Sequence, residues 1–264
     1  MTTWQVATVV AAVRETDTAR SIWLHIPGFP GARAGQHIDI KLTAPDGYST
    51  SRSYSLSDVR EGDTVAVGVE ELDDGEVSPF LVHELEIGEQ VEIAGPIGLQ
   101  FVWPPLDTGA GADRGTGAGA DTGTGAGVDT DPSRPVQLVA GGSGITPLMA
   151  MIRLRETTRP EATMRLLYSA RSPEQVFFRD EFAALAAADR LHVDWFFTRA
   201  AGSGATRPAG RVTREEFLAA ILPVAARPLM YLCGSSEYVD TLGEWLLDAG
   251  YPIDDIRIER FLAA

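Results

Sequence analysis

The chain has 264 residues, 44% of them hydrophobic, which is enough for one large or two ordinary folded domains. Its 22 basic and 37 acidic side chains give a net charge of −15, which argues against nucleic acid and anionic membranes as partners. No apolar run approaches the ~20 residues of a membrane helix, and no secretory signal opens the sequence, so a cytoplasmic protein is expected. The single cysteine, Cys233, excludes an intrachain disulfide and a metal site made of cysteines alone, and no metal is expected.

The first part of the chain, residues 1–106, is predicted to be a six-stranded antiparallel β-barrel. Its short segments are rich in valine, isoleucine, threonine and aromatic residues and are separated by Gly, Pro and Asp turns. Regular spacing of such segments is typical of a closed barrel. The predicted strands are residues 4–15, 19–26, 37–43, 51–57, 63–72 and 89–95. One short helix is predicted over 78–85, with Ser78 as its N-cap and Pro79 at its first position.

A low-complexity stretch, residues 107–134, follows the predicted barrel. It is built from Gly, Ala, Thr and Asp, and Val128 is its only sizeable apolar side chain. Such a composition cannot bury a core, so we predict a disordered linker at a domain boundary.

The last part, residues 135–264, alternates between strand and helix patterns. Five buried-strand runs, the first being PVQLVA, are separated by amphipathic segments. This alternation predicts a doubly wound parallel five-stranded sheet of the α/β class, with helices on both faces. Ligands of such sheets bind at the carboxyl ends of the strands, near the point where the strand order reverses.

Three groups of residues could carry chemistry. Arg52 and Tyr54 share one face of a predicted strand, where a guanidinium suits a phosphate and a ring suits a flat heterocycle. The glycine-rich turn at 141–147 joins the first strand of the second part to its first helix, as in sites that handle nucleotides. Cys233-Gly234 ends the fourth strand of that part. The histidines are scattered without metal-ligand spacing, and no G-x-S-x-G hydrolase motif is present.

In this order the motifs resemble those of the ferredoxin–NADP reductase superfamily, over nearly the whole chain except 107–134. The motifs are Arg52-Ser53-Tyr54-Ser55, Gly75-Glu76-Val77-Ser78, Gly95-Pro96-Ile97-Gly98, Gly141-Gly142-Ser143-Gly144-Ile145-Thr146-Pro147, Cys233-Gly234 and Glu259-Arg260-Phe261. The resemblance implies an FAD-binding barrel at 1–106, a linker at 107–134 and an NAD(P)-binding α/β domain at 135–264. No fused iron–sulfur domain is expected.

The resemblance also implies roles for individual residues. FAD is expected to contact Arg52, Ser53, Tyr54, Ser55, Gly75, Val77, Ser78 and Phe261. The nicotinamide nucleotide is expected to contact Gly142, Gly144, Thr146, Arg171, Arg199, Cys233 and Gly234. The implied catalytic residues, grouped around the reacting rings, are Ser55, Cys233 and Glu259.

Arginines follow the second and third strands of the last part and favour NADPH, with NADH as the alternative. In NADP-using relatives, arginines near the positions of Arg171 and Arg199 hold the 2′-phosphate. An acidic residue at the end of the second strand would instead have favoured the ribose hydroxyl of NAD, and none is present there. FAD is favoured over FMN, because related FMN reductases carry a fused four-cysteine ferredoxin that this chain cannot supply.

The resemblance implies an NAD(P)H-dependent FAD oxidoreductase that passes electrons to a separate protein, such as a ferredoxin or an oxygenase component. Alternatives are a flavin or quinone reductase without a protein partner, and a non-catalytic electron-relay subunit. Residues 1–106 carry six basic and 16 acidic side chains, whereas residues 135–264 carry 14 and 16. If the partner is an acidic ferredoxin, it is expected to dock against arginines of the second part, among Arg199, Arg207, Arg211 and Arg214, or to be steered only weakly.

Overall fold

The computed structural model describes residues 3–59, 62–106, 131, 133–203, 205 and 207–261. Its first part is a closed antiparallel barrel with the strand order β1-β2-β5-β4-β3-β6, which confirms the predicted fold. The strands are β1 (Gln5–Thr16), β2 (Ala19–His25), β3 (His37–Thr43), β4 (Ser49–Asp58), β5 (Thr64–Glu70) and β6 (Gln90–Ile97). The burial of side chains alternates along β1, as expected for a strand with one face toward a barrel core. Ala7 and Val9 are buried in the barrel, whereas Val6 and Val10 are exposed.

The predicted helix at 78–85 is shorter and wider than expected. It is a π-helical turn, Phe80–Glu84, closed by a hydrogen bond from the Leu85 amide to the Phe80 carbonyl. The prediction that Ser78 caps this helix was wrong. Its hydroxyl instead accepts a hydrogen bond from the Leu72 amide at 3.0 Å, so it closes the preceding loop.

The second part is a parallel five-stranded sheet with helices between the strands, as predicted. Its strands are β7 (Val136–Gly141), β8 (Met164–Ala170), β9 (His192–Phe197), β10 (Leu229–Ser235) and β11 (Ile256–Phe261). Its helices are α1 (Ile145–Thr158), α2 (Arg179–Ala187), α3 (Arg214–Ala220) and α4 (Ser236–Asp248). The order β11-β10-β7-β8-β9 reverses between β7 and β10, where a ligand crevice is expected.

Helix α1 is buried because it lies between the sheet and the barrel. All eight residues from 145 to 152 are buried, and the helix packs along β4. Strand β7 is likewise buried on both faces over Val136–Ala140, as expected for the centre of a parallel sheet. We call the surface along which α1 and the turn after β7 meet β4 and β5 the domain seam.

Polar contacts join the two parts of the chain at the end of the seam beside the C-terminal half of α1. The Arg153 guanidinium donates to the Ser57 carbonyl at 3.0 Å and pairs with both carboxylate oxygens of Glu181. The Phe178 amide donates to Glu15 of the barrel at 2.9 Å. These bonds hold the two parts in one orientation, which matters for any chemistry that spans them.

Most of the predicted linker, residues 107–130, lies outside the described residues, and the boundaries of the predicted domains stay predictions. Among the helices of the described ranges, none combines the length and the apolar character that crossing a bilayer requires.

Candidate active site

The barrel side of the candidate site is the middle of β4. Arg52 is about half exposed, and its Nη2 lies 3.5 Å from Oε2 of Glu76. Tyr54 is buried against the barrel core, with 9% of its surface exposed, and burial raises the pKa of its hydroxyl. Ser53 is exposed and donates to Asp39 on β3 at 2.6 Å. Arg52 thus lies at the surface with its guanidinium in contact with Glu76 and the Ser51 carbonyl, whereas the Ser53 hydroxyl is engaged by the Asp39 carboxylate.

The loop before the π-helical turn curls beside Arg52. The Gly75 amide donates to the Leu72 carbonyl at 2.8 Å, and Ser78 closes the same loop through its hydroxyl. A Cβ at Gly75 would lie 2.7 Å from the Ser78 oxygen, so only glycine fits this curl. Val77 and Ser78 are buried. The loop therefore places a tight backbone curl beside Arg52, and its carboxylate side chains at 73, 74 and 76 are exposed.

Three residues from the two parts of the chain meet at the centre of the seam. The Ser55 hydroxyl of β4 donates to Oε1 of Glu259 on β11 at 3.0 Å. Glu259 is directly beside Cys233 in the register of β10 and β11. The structure therefore brings together the three residues that the resemblance implied as catalytic.

Burial shifts the proton equilibria of this group. It raises the pKa of the Glu259 carboxyl to about 7, although the Ser55 hydrogen bond opposes the rise. The fully buried Cys233 thiol has a pKa raised well above its usual value, first by burial and then by the Glu259 carboxylate. Cys233 is therefore a neutral thiol and no nucleophile, whereas Glu259 can hold or release a proton near neutral pH.

The turn after β7 forms the nucleotide side of the site. Gly142 has a left-handed backbone with φ of +56°. A Cβ at Gly144 would overlap the carbonyl of Cys233, so glycine lets the turn lie directly against the end of β10 and Gly234. This close approach joins the carboxyl ends of β7 and β10 into one surface.

Thr146, at the start of α1, carries a polar atom that has no protein partner. Its side chain is 1% exposed, and among the described residues its hydroxyl has no hydrogen bond. It lies against Gly68 of β5, where a Cβ would stand 2.7 Å from the hydroxyl oxygen. A buried hydroxyl without a partner is costly, so this atom marks a position where a polar ligand group fits.

The remaining predicted residues flank this centre. Phe261 ends β11 beside Ser235 and is partly buried. Arg171 and Arg199 are both exposed. Their loops are adjacent, because the Arg199 amide donates to the Arg171 carbonyl at 2.8 Å. Within the part of the chain that the structure describes, neither guanidinium has an ion-pair partner.

Sequence reasoning missed Tyr238 of α4. A Cβ at Gly141 would lie 2.7 Å from its ring, and one at Gly234 would lie 3.1 Å from it. The ring therefore covers the glycines that end β7 and β10. An aromatic residue at the beginning of a helix after a strand is not specific enough to predict such a role.

A cleft of about 740 Å³ lies at the end of the seam where Arg153 bonds the Ser57 carbonyl, around Trp23, Arg153 and Phe178. None of the described residues that line it is a predicted site residue. Because its lining includes none of Ser55, Cys233 and Glu259, we place the candidate site where these three residues meet.

Two family models match the chain in the expected order. The oxidoreductase FAD-binding domain matches residues 28–102, and the oxidoreductase NAD-binding domain matches residues 138–242.

Individual proteins resemble the chain over most of its length. A flavohemoprotein of Pseudomonas putida is 28% identical over 89% of the chain and 53% of its own length. Ferredoxin–NADP reductase B of Sorangium cellulosum is 27% identical over 86% of the chain and 84% of its own length. The FAD/NAD-binding domain of a nitric oxide dioxygenase from Vibrio cholerae shares the fold, with a TM-score of 0.76, 23% identity and coverage of 97% and 98%. The chain spans about half the length of the flavohemoproteins it matches.

The residues of the site fit the two cofactors that these domains bind. Arg52 and the curled 72–78 loop offer a cation and close backbone approach for a diphosphate. The Thr146 hydroxyl offers a donor, and the glycines that end β7 and β10, which the Tyr238 ring covers, form a surface of the size and shape that a flat ring occupies.

Proposed function

Because the chain belongs to the ferredoxin–NADP reductase superfamily, we propose that it oxidises a nicotinamide nucleotide through FAD and passes electrons to a separate iron–sulfur or haem protein. Its first part is an FAD-binding oxidoreductase domain and its second an NAD-binding one. The observation that carries the proposal is the meeting of Ser55, Glu259 and Cys233 at the seam between them. A reaction between two cofactors needs a site to which both domains contribute.

Each residue of this group has a proposed task. FAD, when bound, can accept two electrons together and release them one at a time. The Ser55 hydroxyl fixes one oxygen of Glu259, whose carboxyl holds a proton near neutral pH. The Cys233 thiol stays neutral and packs at the end of β10, where it shapes the nicotinamide surface and excludes water. Thr146 donates its unpartnered hydroxyl to the nucleotide.

We assign Arg52, Ser53, Tyr54, Gly75, Val77, Ser78 and Phe261 to FAD, together with Ser55. Arg52 supplies the charge for the phosphates, and the buried Tyr54 ring supplies a flat apolar surface. Ser53 contributes through its backbone only, because its hydroxyl is bonded to Asp39.

The preferred nucleotide of the proposal is NADPH. Arg171 and Arg199 are exposed, have neighbouring backbones and lack carboxylate partners among the described residues. Two free guanidiniums suit a 2′-phosphate, which NADH lacks.

The electron acceptor is proposed to be a protein that carries an iron–sulfur cluster or a haem. The names of two relatives, a flavohemoprotein and a ferredoxin–NADP reductase, support these two classes. Three of the arginines expected to attract an acidic ferredoxin are already paired, Arg207 with Glu216, Arg211 with Glu237 and Arg214 with Asp248. Attraction to an acidic partner is therefore weak.

These ion pairs favour a second candidate, a reductase of free flavin or quinone that needs no charged partner. The test is the rate of NADPH oxidation with a plant-type ferredoxin, with cytochrome c and with free FMN, each at several ionic strengths. Faster reduction of either protein than of FMN supports the first proposal. Faster reduction of FMN than of both proteins overturns it in favour of the second.

A further inference from the structure

The guanidinium assigned to the FAD phosphates already faces a carboxylate of this chain. Nη2 of Arg52 lies 3.5 Å from Oε2 of Glu76, and both side chains are about half exposed. The Tyr48 hydroxyl lies 3.3 Å from the other carboxylate oxygen. Glu76, which belongs to the 72–78 loop, is therefore held beside Arg52 by contacts with the Arg52 guanidinium and the Tyr48 hydroxyl.

The charge of this arrangement opposes the binding of a diphosphate. The segment 70–76 has five carboxylates in seven residues. Two of its acidic residues, Asp73 and Asp74, are exposed and contact no arginine among the described residues. Only Glu76 of this segment shares the Arg52 guanidinium. A phosphate that pairs with Arg52 must displace the carboxylate or stand next to it, and both cost free energy.

We infer that Glu76 competes with the FAD diphosphate for Arg52, and thereby sets how tightly this chain holds FAD. The inference rests on the proposed function, since it takes Arg52 as the phosphate partner. It assigns to Glu76 the opposite effect on FAD binding from that of the residues that strengthen it. The chain would consequently exchange FAD with solution more readily than its positive contacts alone predict.

The test is a titration of the FAD-free protein with FAD, followed by quenching of flavin fluorescence. Glu76→Gln keeps the shape and the Tyr48 contact but removes the charge, and should lower the Kd for FAD about fivefold. The matched control is Glu86→Gln, which removes one exposed carboxylate of the barrel outside the 72–78 loop, and should leave the Kd within about twofold. An unchanged Kd in Glu76→Gln, or an equal gain in Glu86→Gln, would overturn the inference.

The competition itself is tested in an Arg52→Ala background. With the guanidinium gone, Glu76→Gln should improve FAD binding less than it does in the wild-type chain. An equal or larger improvement would mean that Glu76 acts without Arg52, which contradicts the proposal. The rise of Tm with FAD concentration extends the measurement to weakly binding variants.

These outcomes distinguish a failure of the proposed function from a failure of the role of Glu76 alone. If the wild-type chain binds no FAD, the proposed function fails and this inference fails with it. If the wild-type chain binds FAD but Glu76→Gln shows no gain, only the role of Glu76 is lost.

Discussion

The Ser55 hydroxyl donates a hydrogen bond to Oε1 of Glu259 at 3.0 Å, although the two residues are 204 positions apart in the chain. One belongs to a barrel strand and the other to the last strand of the parallel sheet. The bond places a carboxyl group with a pKa of about 7 at the point where the FAD-binding and NAD-binding domains meet. Substitutions in either domain should therefore alter the surroundings of the Glu259 carboxyl.

Replacing Arg52 should weaken FAD binding. Arg52→Ala removes a charge-assisted contact of about 1.5–3 kcal/mol, so the Kd for FAD should rise about 10- to 100-fold. The FAD content after purification and a fluorescence titration measure this. Arg14→Ala is the control, because Arg14 is an exposed barrel arginine whose guanidinium, among the described residues, bonds only the Asp17 carbonyl. Full FAD occupancy in Arg52→Ala at low FAD concentration would remove Arg52 from the site.

Adding one methyl group at Gly68 should disturb the seam without unfolding the barrel. Its Cβ would lie 2.7 Å from Oγ1 and 2.9 Å from Cγ2 of Thr146, so α1 must shift away from β5. We expect Gly68→Ala to keep FAD but to slow flavin reduction by NADPH about tenfold or more.

Two further variants check this cause. Gly210→Ala should have no effect, because nothing lies within 4 Å of a Cβ at that position. Since the clash is with Thr146, Gly68→Ala should add little to the effect of Thr146→Ala. Additive losses in the double variant would show that Gly68 acts elsewhere.

The raised pKa of Glu259 predicts a defined dependence of stability on pH. The folded chain binds more protons than the unfolded chain between the unfolded pKa of 4.5 and the folded value of about 7. The free energy of unfolding contributed by this group is therefore present below pH 4.5 and is lost as the pH rises to about 7.

Glu259→Gln cannot titrate, so its Tm relative to the wild-type Tm should rise across this window and stay level above it. Thermal melts below, within and above the window measure the difference. Glu244→Gln, a change at an exposed glutamate of α4, should show no such rise. A constant Tm difference at all pH values would mean that Glu259 titrates as an ordinary exposed carboxyl.

The choice of nucleotide should depend on Arg171 and Arg199. Replacing either by alanine should raise the KM for NADPH about tenfold and leave the KM for NADH within about twofold, because only NADPH has the 2′-phosphate. Arg211→Ala, which breaks a surface ion pair with Glu237, should change neither value. Equal losses with both nucleotides would assign these arginines a role outside 2′-phosphate recognition.

The architecture could be predicted because each element has a strong local pattern. The alternation in β1 and the nearly continuous apolar run in β7, interrupted by Gln137, indicate a barrel strand and a central parallel strand, respectively. The π-helical turn could not be predicted, because the pairing of Ser78 with the Leu72 amide depends on how the loop folds back. Local sequence does not encode such a choice between two backbone partners.

The candidate site was predicted residue by residue through motifs, but its contacts were not. Ser55 and Glu259 are joined only by the fold of the whole chain, and so is the burial that shifts the pKa of Glu259. The ring of Tyr238 over the glycines and the carboxylate of Glu76 beside Arg52 have no sequence signature. Motifs of this kind predict which residues bind a cofactor. Residues that oppose that binding, such as Glu76, or cover the site, such as Tyr238, are found only from the three-dimensional structure.

The central claim is that electrons pass from a nicotinamide nucleotide to FAD at the seam, and rapid anaerobic mixing tests it most directly. The FAD-loaded protein is mixed with NADPH, then separately with NADH, while the flavin absorbance is followed. We predict rapid bleaching by NADPH and slower bleaching by NADH. A protein that takes up FAD but is bleached by neither nucleotide would contradict the claim.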